Sequence, residues 1–312
     1  MPNIGVIGEC MLELTKLPAN QTQQQPNDSK IPAVLSFGGD TLNTAIYIAR
    51  ANLNVEYITA VGQDYLSNWL LQQWQNEQVG TQFVTRSSTK TVGMYFIQTN
   101  NGERTFTYWR NNSAAKSFFN NAQQFAKSIH NLFQCDWIYL SGITLALMSR
   151  SVKELFFEFL KEYRFKNGKV IFDSNYRTTL WKDNAEAQKY CQQMYQHTDV
   201  ALPTFEDEVA IFNETKLETI IKRLQSYGIQ EIALKKGAEG CYLYTNGQLQ
   251  QVPSQIDRNA KVIDTTAAGD SFNGSYIASR MQQQSALQAA NNGNVLAAKV
   301  ICHQGAIIPL NS

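Results

Sequence analysis

The chain has 312 residues, 43% of them hydrophobic, and its 27 Lys and Arg against 26 Asp and Glu leave a formal net charge of +1. That length and apolar content support a sizeable core, and the near-neutral balance excludes binding to nucleic acid or to a membrane surface through bulk charge. Five scattered cysteines (Cys10, Cys135, Cys191, Cys241, Cys302) with no C-x-x-C pair read as reduced thiols of a cytoplasmic protein, not as a disulfide or zinc framework.

The N-terminus enters an apolar run at once, Ile4 to Ile7, ending at Gly8; it predicts a buried first strand and no signal peptide. Glu9 to Leu14 alternates and predicts a strand in a different, more exposed sheet. Asn20 to Lys30 is polar and Gln-rich and reads as a loop, and Val34 to Phe37 as a short strand. Ala45 to Arg50 predicts a helix, Tyr57 to Gly62 a buried strand, and Gln63-Asp64 the start of a helix reaching Trp74. Val92–Gln98 and Arg104–Trp109 predict a hairpin turning at Asn100-Asn101-Gly102-Glu103. Its dense aromatics fit a lid, a contact between subunits, or a half-buried edge hairpin.

From Asp136 onward strands and helices alternate. Strands are predicted at Trp137–Gly142, Lys169–Asp173, Asp199–Leu202 and Glu231–Lys235; helices at Ser151–Phe165, Ala185–Gln196, Glu206–Phe212 and Leu217–Tyr227. Cys241–Tyr244 and Leu249–Val252 form a late hairpin around Asn246-Gly247, and two helices are expected near Ser285–Asn291 and Asn294–Cys302. The alternation predicts an α/β fold, a doubly wound and mainly parallel sheet with helices on both faces. No window holds the roughly 18 uninterrupted apolar residues of a membrane span. Ligands of such sheets sit at the strands' C-terminal ends, here after Val6, Leu140, Phe172, Leu202, Leu234 and Ile263. Neither a G-x-x-x-x-G-K-[S/T] loop nor a G-x-G-x-x-G after the first strand is present, which excludes a P-loop kinase and removes the dinucleotide fingerprint.

One stretch concentrates chemistry. Val262-Ile263-Asp264-Thr265-Thr266-Ala267-Ala268-Gly269-Asp270-Ser271-Phe272 reads as a strand end, a run of small residues, an acid and a helix, the helix continuing through Tyr276, Ile277 and Met281. Small residues let backbone approach a ligand, and free N–H groups at a helix start favour an anion. A carboxylate there has the wrong charge to hold phosphate, so Asp270 is better suited to taking a proton from a hydroxyl beside the phosphate. A capped helix with Asp in its first turn is the plain alternative. Phe37-Gly38-Gly39-Asp40-Thr41-Leu42-Asn43-Thr44-Ala45 is the second informative stretch, read either as a polar ligand-binding turn or as a glycine turn before an Asp-capped helix.

The D-T-x-x-A-G-D pattern of Asp264 to Asp270 resembles the second signature of the ribokinase-like (PfkB) carbohydrate kinases, and Gly38-Gly39 to Asn43 resembles the first, G-G-x-x-x-N. The resemblance runs from Gly5 to Pro309. It implies one ribokinase-like domain over residues 1–312, with a small β-sheet lid from about 10–37 and 90–111. By this resemblance Asp270 is the catalytic base, and Ala267, Ala268 and Gly269 form the anion hole. Gly8-Glu9-Cys10-Met11, Gly102-Glu103-Arg104-Thr105-Phe106-Thr107-Tyr108-Trp109-Arg110, Phe172-Asp173-Ser174-Asn175-Tyr176-Arg177 and Gly305-Ala306-Ile307-Ile308-Pro309 resemble the members of that family that phosphorylate the 6-hydroxyl of 2-dehydro-3-deoxy-D-gluconate with ATP.

A sugar acid calls for a guanidinium fork, and Arg110 and Arg177 are the candidates, unless either is merely a surface ion pair. The resemblance implies that Gly38, Gly39, Asp40, Asn43, Tyr95, Tyr108, Arg110, Arg177 and Asp270 contact the sugar acid. Glu9 stands where related kinases place an acid that binds a hydroxyl. For ATP the resemblance implicates Asn175, Lys235, Gly237, Gly240, Ala268, Gly269 and Asn294, although Gly237 and Gly240 also read as simple turn glycines. Mg2+ is expected to bridge the ATP phosphates, mostly through water. The family's N-x-x-E motif is replaced by Thr204-Phe205-Glu206-Asp207, so Asp207 is the candidate metal contact. Self-association through the lid is a further expectation. Kinases for a neutral sugar or a nucleoside, and a silent sugar-binding regulator on the same fold, are the competing readings.

Overall fold

The computed structural model of the chain describes residues 3–17, 29–100, 103–257 and 260–310. Most of the predicted Gln-rich loop, and Asn101-Gly102 of the predicted hairpin turn, lie outside the described residues.

The chain begins with β1 (Asn3–Ile7), β2 (Met11–Lys16) and β3 (Ala33–Gly38), followed by α1 (Asp40–Ala49), β4 (Asn54–Ile58), β5 (Ala60–Val61) and α2 (Tyr65–Asn76). Short strands β6 (Val79–Gly80) and β7 (Thr85–Arg86) lead into the hairpin of β8 (Gly93–Asn100) and β9 (Glu103–Trp109). Next come α3 (Ala114–Phe118), α4 (Ala122–Ile129), β10 (Trp137–Ser141), α5 (Gly142–Leu147), α6 (Arg150–Phe165), β11 (Lys169–Asp173), α7 (Asn184–Tyr195), β12 (Val200–Ala201), α8 (Phe205–Phe212) and α9 (Leu217–Ser226). The chain closes with β13 (Glu231–Lys235), β14 (Cys241–Thr245), β15 (Gln248–Val252), α10 (Ala268–Met281) and α11 (Ala286–Val300).

Nine strands make the main sheet, in the order β15-β14-β13-β12-β11-β10-β1-β4-β6, and β3-β2-β8-β9 make a separate four-stranded sheet. The main sheet is parallel from β6 to β13 and antiparallel through the late hairpin. Its strands alternate between two cores. Ile138, Leu140, Val170 and Phe172 face a cluster with Phe156, Leu160 and Leu224, while Trp137, Tyr139 and Ile171 face one with Ile46, Phe272 and Tyr276. This period of two, with helices closing both faces, is the physical basis of the doubly wound arrangement.

Strand β1 pairs with β4 on one side and β10 on the other. The chain therefore leaves it in two directions, and a crevice opens at its C-terminal end. The loops after β1, β10, β11 and β13 all meet there. Close backbone contact holds them: a Cβ on Gly142 would lie 1.9 Å from the Ser174 carbonyl oxygen. Gly142→Ala is expected to destabilise the protein by about 1–3 kcal/mol, read as a lower Tm, because the displaced partner is backbone and cannot swing aside. An unchanged Tm would contradict this packing.

Several element boundaries differ from expectation. Helix α1 begins at Asp40, five residues before the apolar run, because Thr41, Asn43 and Thr44 are buried against the rest of the fold. The two predicted final helices are one, α11, continuing through Gly293, where a Cβ would meet the Phe272 ring at 2.7 Å. Glycine there permits close packing and does not end the helix. Helices α3, α4 and α5 are additional to those expected. All five cysteines are free, and among the described residues no helix is long and apolar enough to cross a membrane.

Candidate active site

The floor of the crevice is the start of α10. Asp264 shapes it, accepting from the Thr266 amide at 2.9 Å and the Gly305 amide at 3.0 Å. Ala267 takes the left-handed conformation (φ 59°, ψ 17°), which turns the chain into the helix. The amides of Gly269 and Asp270 lie in the first turn, where no intrahelical acceptor exists. The Ala268 amide instead reaches the Thr265 carbonyl at 3.3 Å, so the free donors are concentrated on Gly269 and Asp270.

Asp270 stands in that first turn, its Oδ2 accepting from Asn43 Nδ2 at 2.9 Å, while the Thr44 hydroxyl donates to the Asp270 carbonyl at 3.2 Å. Helices α1 and α10 approach closely because residue 274 is glycine: a Cβ there would lie 2.6 Å from Tyr47 Cβ. Burial, with the nearby Asp40 charge adding to it, pushes the Asp270 carboxyl up to about 7. Burial also raises Asp40, whose Oδ2 accepts from Asn175 Nδ2 at 2.7 Å. Asn175 has positive φ (28°), a conformation Asn tolerates better than most residues, and this turns its amide toward Asp40. The structure thus brings Asp40, Asn43, Asn175 and Asp270 together.

Behind the helix start Lys235, a nucleotide candidate by resemblance, sits in a buried polar network with Asp173 and Asn273, to which the sequence assigned no role. Lys235 Nζ donates to Asp173 Oδ2 at 2.8 Å and Asn273 Oδ1 at 3.0 Å. Asn273 Nδ2 donates in turn to Asp173 Oδ2 at 2.6 Å and the Tyr139 hydroxyl at 3.1 Å. A Cβ on Gly269 would be 3.5 Å from Lys235 Nζ, which puts the ammonium next to the start of α10. Asn273 follows Asp270 by three residues, on the same helix face, and that spacing was the available signal.

On the small-sheet side, a Cβ on Gly38 would clash with the Tyr95 hydroxyl at 2.6 Å and one on Gly39 with the Glu9 carbonyl at 2.3 Å. Tyr95 donates to the Glu13 carboxylate, and Tyr108 stacks on Phe106 with ring centroids 6.2 Å apart. Arg110 is paired with Glu9, whose other oxygen accepts from Ser113 at 3.1 Å. Both Glu9 oxygens are therefore engaged within the protein. Arg177 is exposed at the crevice, with Nη1 donating to its neighbour's Tyr176 carbonyl at 2.8 Å. Its charge bears on both Asp40 and Asp207, holding each lower than burial alone would.

The remaining nucleotide candidates sit along the β13–β15 edge. Gly237 (φ 48°) and Gly240 (φ 91°) occupy positions that disfavour side chains, and a Cβ on Gly240 would meet the Val252 carbonyl at 2.3 Å. Asn294 Nδ2 donates to the Val252 carbonyl at 2.9 Å and the Pro253 carbonyl at 3.1 Å, so its amide ties down the exit of β15. Asp207 lies in the first turn of α8, and burial, reinforced by Asp173, pushes its carboxyl up to about 7. Among the described residues no three His, Cys, Asp or Glu side chains gather as a metal cage. A half-buried carboxylate whose charge is disfavoured suits a cation that brings most of its own ligands.

Carboxylate, free amides and ammonium converging at a sheet switch point define a phosphoryl-transfer site of the sugar-kinase type. The profile of the pfkB family carbohydrate kinases matches residues 1–312, and the chain belongs to that family. It is 43% identical over 312 residues to the 2-dehydro-3-deoxygluconokinase of Escherichia coli (strain K12), covering 98% of this chain and 97% of that one. Identity to the 2-dehydro-3-deoxygluconokinase of Dickeya dadantii (strain 3937) is 40% over 316 residues, covering 99% and 98%. The fold is similar to that of a fructokinase with bound ATP from Xylella fastidiosa, with a TM-score of 0.82 and 20% identity, covering 97% of this chain and 93% of that one.

Proposed function

We propose that this protein is an ATP-dependent sugar-acid kinase that phosphorylates the 6-hydroxyl of 2-dehydro-3-deoxy-D-gluconate, giving 2-dehydro-3-deoxy-6-phospho-D-gluconate and ADP. The observation that carries the reading is Asp270, a carboxyl pushed up to about 7 at a helix start with free amides. The names of the relatives at 40–43% identity supply the substrate.

In this mechanism Asp270 takes the proton of the 6-hydroxyl as that oxygen attacks the γ-phosphorus. Asn43 holds the carboxylate in place. The amides of Gly269 and Asp270 face the charge that develops on the transferred group, and Lys235 adds a fixed positive charge behind them. Asn175, Gly237, Gly240, Ala267, Ala268 and Asn294 shape the nucleotide side, the last by fixing the β15 exit. Mg2+ would neutralise phosphate charge, and Asp207 is the residue placed to hold its water shell. Gly38, Gly39, Asp40, Tyr95 and Tyr108 form the sugar side, with Arg110 and Arg177 for the carboxylate. Residues 1–312 act as one domain, the small sheet being its lid, in a cytoplasmic enzyme. Val34, Leu35, Phe106, Tyr108 and Trp109 are exposed on that lid and would be covered in a homo-oligomer.

ADP release measured across sugar acids and neutral sugars tests the substrate. The sugar acid is expected to exceed fructose and ribose in kcat/KM by roughly 100-fold or more, since a neutral sugar has no carboxylate to offer the guanidinium groups. Comparable rates with fructose would point to a neutral-sugar kinase, and sugar binding without ADP formation to a silent regulator. Arg177→Ala is expected to raise KM for the sugar acid roughly 10–100-fold, and more than KM for ATP. Equal weakening of both would contradict the carboxylate role.

A further inference from the structure

Arg110 is proposed above to face the substrate carboxylate, yet it emerges from the end of the lid's last strand, where a long side chain has many rotamers. Glu9 restricts it. This residue follows strand β1 of the main sheet and precedes β2 of the lid, whereas Arg110 follows β9 and leads out of the lid. The two are 101 residues apart in sequence and span the junction of the two sheets.

The Glu9 side chain is 1% exposed and that of Arg110 12%. One Glu9 oxygen accepts from Arg110 Nη2, and the other is fixed by Ser113, itself the cap of α3. Arg110 Nε is buried without a protein partner, so the fork is only partly satisfied by Glu9. Burial of Glu9 is costly, and its carboxyl is raised by desolvation against the opposing pull of Arg110. A buried ion pair is not needed to close this junction; two apolar side chains in place of both partners would pack there at lower cost.

We infer that Glu9 is a positioning residue that holds the Arg110 guanidinium at the mouth of the crevice with part of its fork turned to the sugar-acid carboxylate, and so contributes to specificity without touching the substrate. The inference rests on the proposed sugar-acid reading. It replaces the hydroxyl-binding role implied for Glu9 by resemblance, because both oxygens are occupied and the side chain is closed off.

The test is a set of KM values for the sugar acid and for ATP in the wild type, E9A, E9Q, R110A and E9A/R110A. E9A is expected to raise the sugar-acid KM roughly 10–100-fold, with the ATP KM within about twofold, and E9Q, which keeps an acceptor for Arg110, to recover most of that loss. E9A/R110A is expected to be no worse than R110A, because the effect of Glu9 passes through Arg110. Multiplying effects in the double variant, equal losses for both substrates, or an E9Q as poor as E9A would overturn the inference. Should E9A fail to fold, E9D serves: it keeps the charge, shortens the reach, and must still raise the sugar-acid KM selectively. A wild type that accepts the sugar acid, with E9A unchanged, removes only the role of Glu9. A wild type that ignores the sugar acid and turns over a neutral sugar removes the substrate reading itself.

Discussion

Asp270→Asn is expected to lower kcat by roughly 100- to 10,000-fold while ATP still binds, the range that loss of a general base produces. The amide is isosteric and can still accept from Asn43, so the crevice keeps its shape and only the proton acceptor goes. The wild type should show an acid limb in kcat/KM near pH 7, since activity requires the deprotonated carboxylate and burial has pushed that group up to about 7. The variant's residual rate should lack this limb. Stability moves in the other direction. A folded-state value above the ordinary 3.8 means the folded protein holds this proton more tightly than the unfolded chain. Its contribution is therefore fully present below about pH 4 and lost as pH rises through about 7. Above pH 7 the buried charge is a cost that Asn removes, so Asp270→Asn should raise stability at pH 8 by on the order of 1–2 kcal/mol, a few degrees in Tm. Near-normal turnover, or a lower Tm at pH 8, would contradict the assignment.

Lys235→Met is expected to be the most damaging single change to both fold and activity. Lys235 is 7% exposed and its partner Asp173 2%, and Asn273 cannot neutralise the carboxylate left behind. Removing one member of such a pair costs about 3–5 kcal/mol, because the other charge stays buried and unpaired. Lys235→Met/Asp173→Asn removes both charges and should recover most of that stability, read by thermal unfolding. Turnover should not recover, because the ammonium beneath Gly269 is absent from the double variant as well. A double variant that regained activity along with stability would show Lys235 to be structural only.

The α/β architecture could be read from the chain because its strands carry near-continuous apolar runs between amphipathic helices, a pattern set by local sequence. The start of α10 could be read for the same reason: small residues, an acid and a helical period lie within eleven consecutive positions. The polar network beneath it could not. Asp173 and Asn273 are 100 residues apart, and only the packing of α10 on the sheet brings them to 2.6 Å. The Glu9–Arg110 pair was hidden in the same way, each residue looking like an independent ligand for the sugar. The bonding of Asn294, implicated for ATP by resemblance, could not be read either: its amide donates to two carbonyls at the end of β15, more than 40 residues away in sequence. Helices α3 and α5, of 5 and 6 residues, carry too few turns to display a period.

The most direct test is a crystal structure with a non-hydrolysable ATP analogue and 2-dehydro-3-deoxy-D-gluconate bound together. The expected result has the 6-hydroxyl oxygen about 2.6–3.2 Å from the Asp270 carboxylate, the γ-phosphoryl oxygens against the Gly269 and Asp270 amides, and the sugar carboxylate against Arg110 and Arg177. A complex in which the Asp270 side chain faces neither the hydroxyl nor the phosphate would contradict the account.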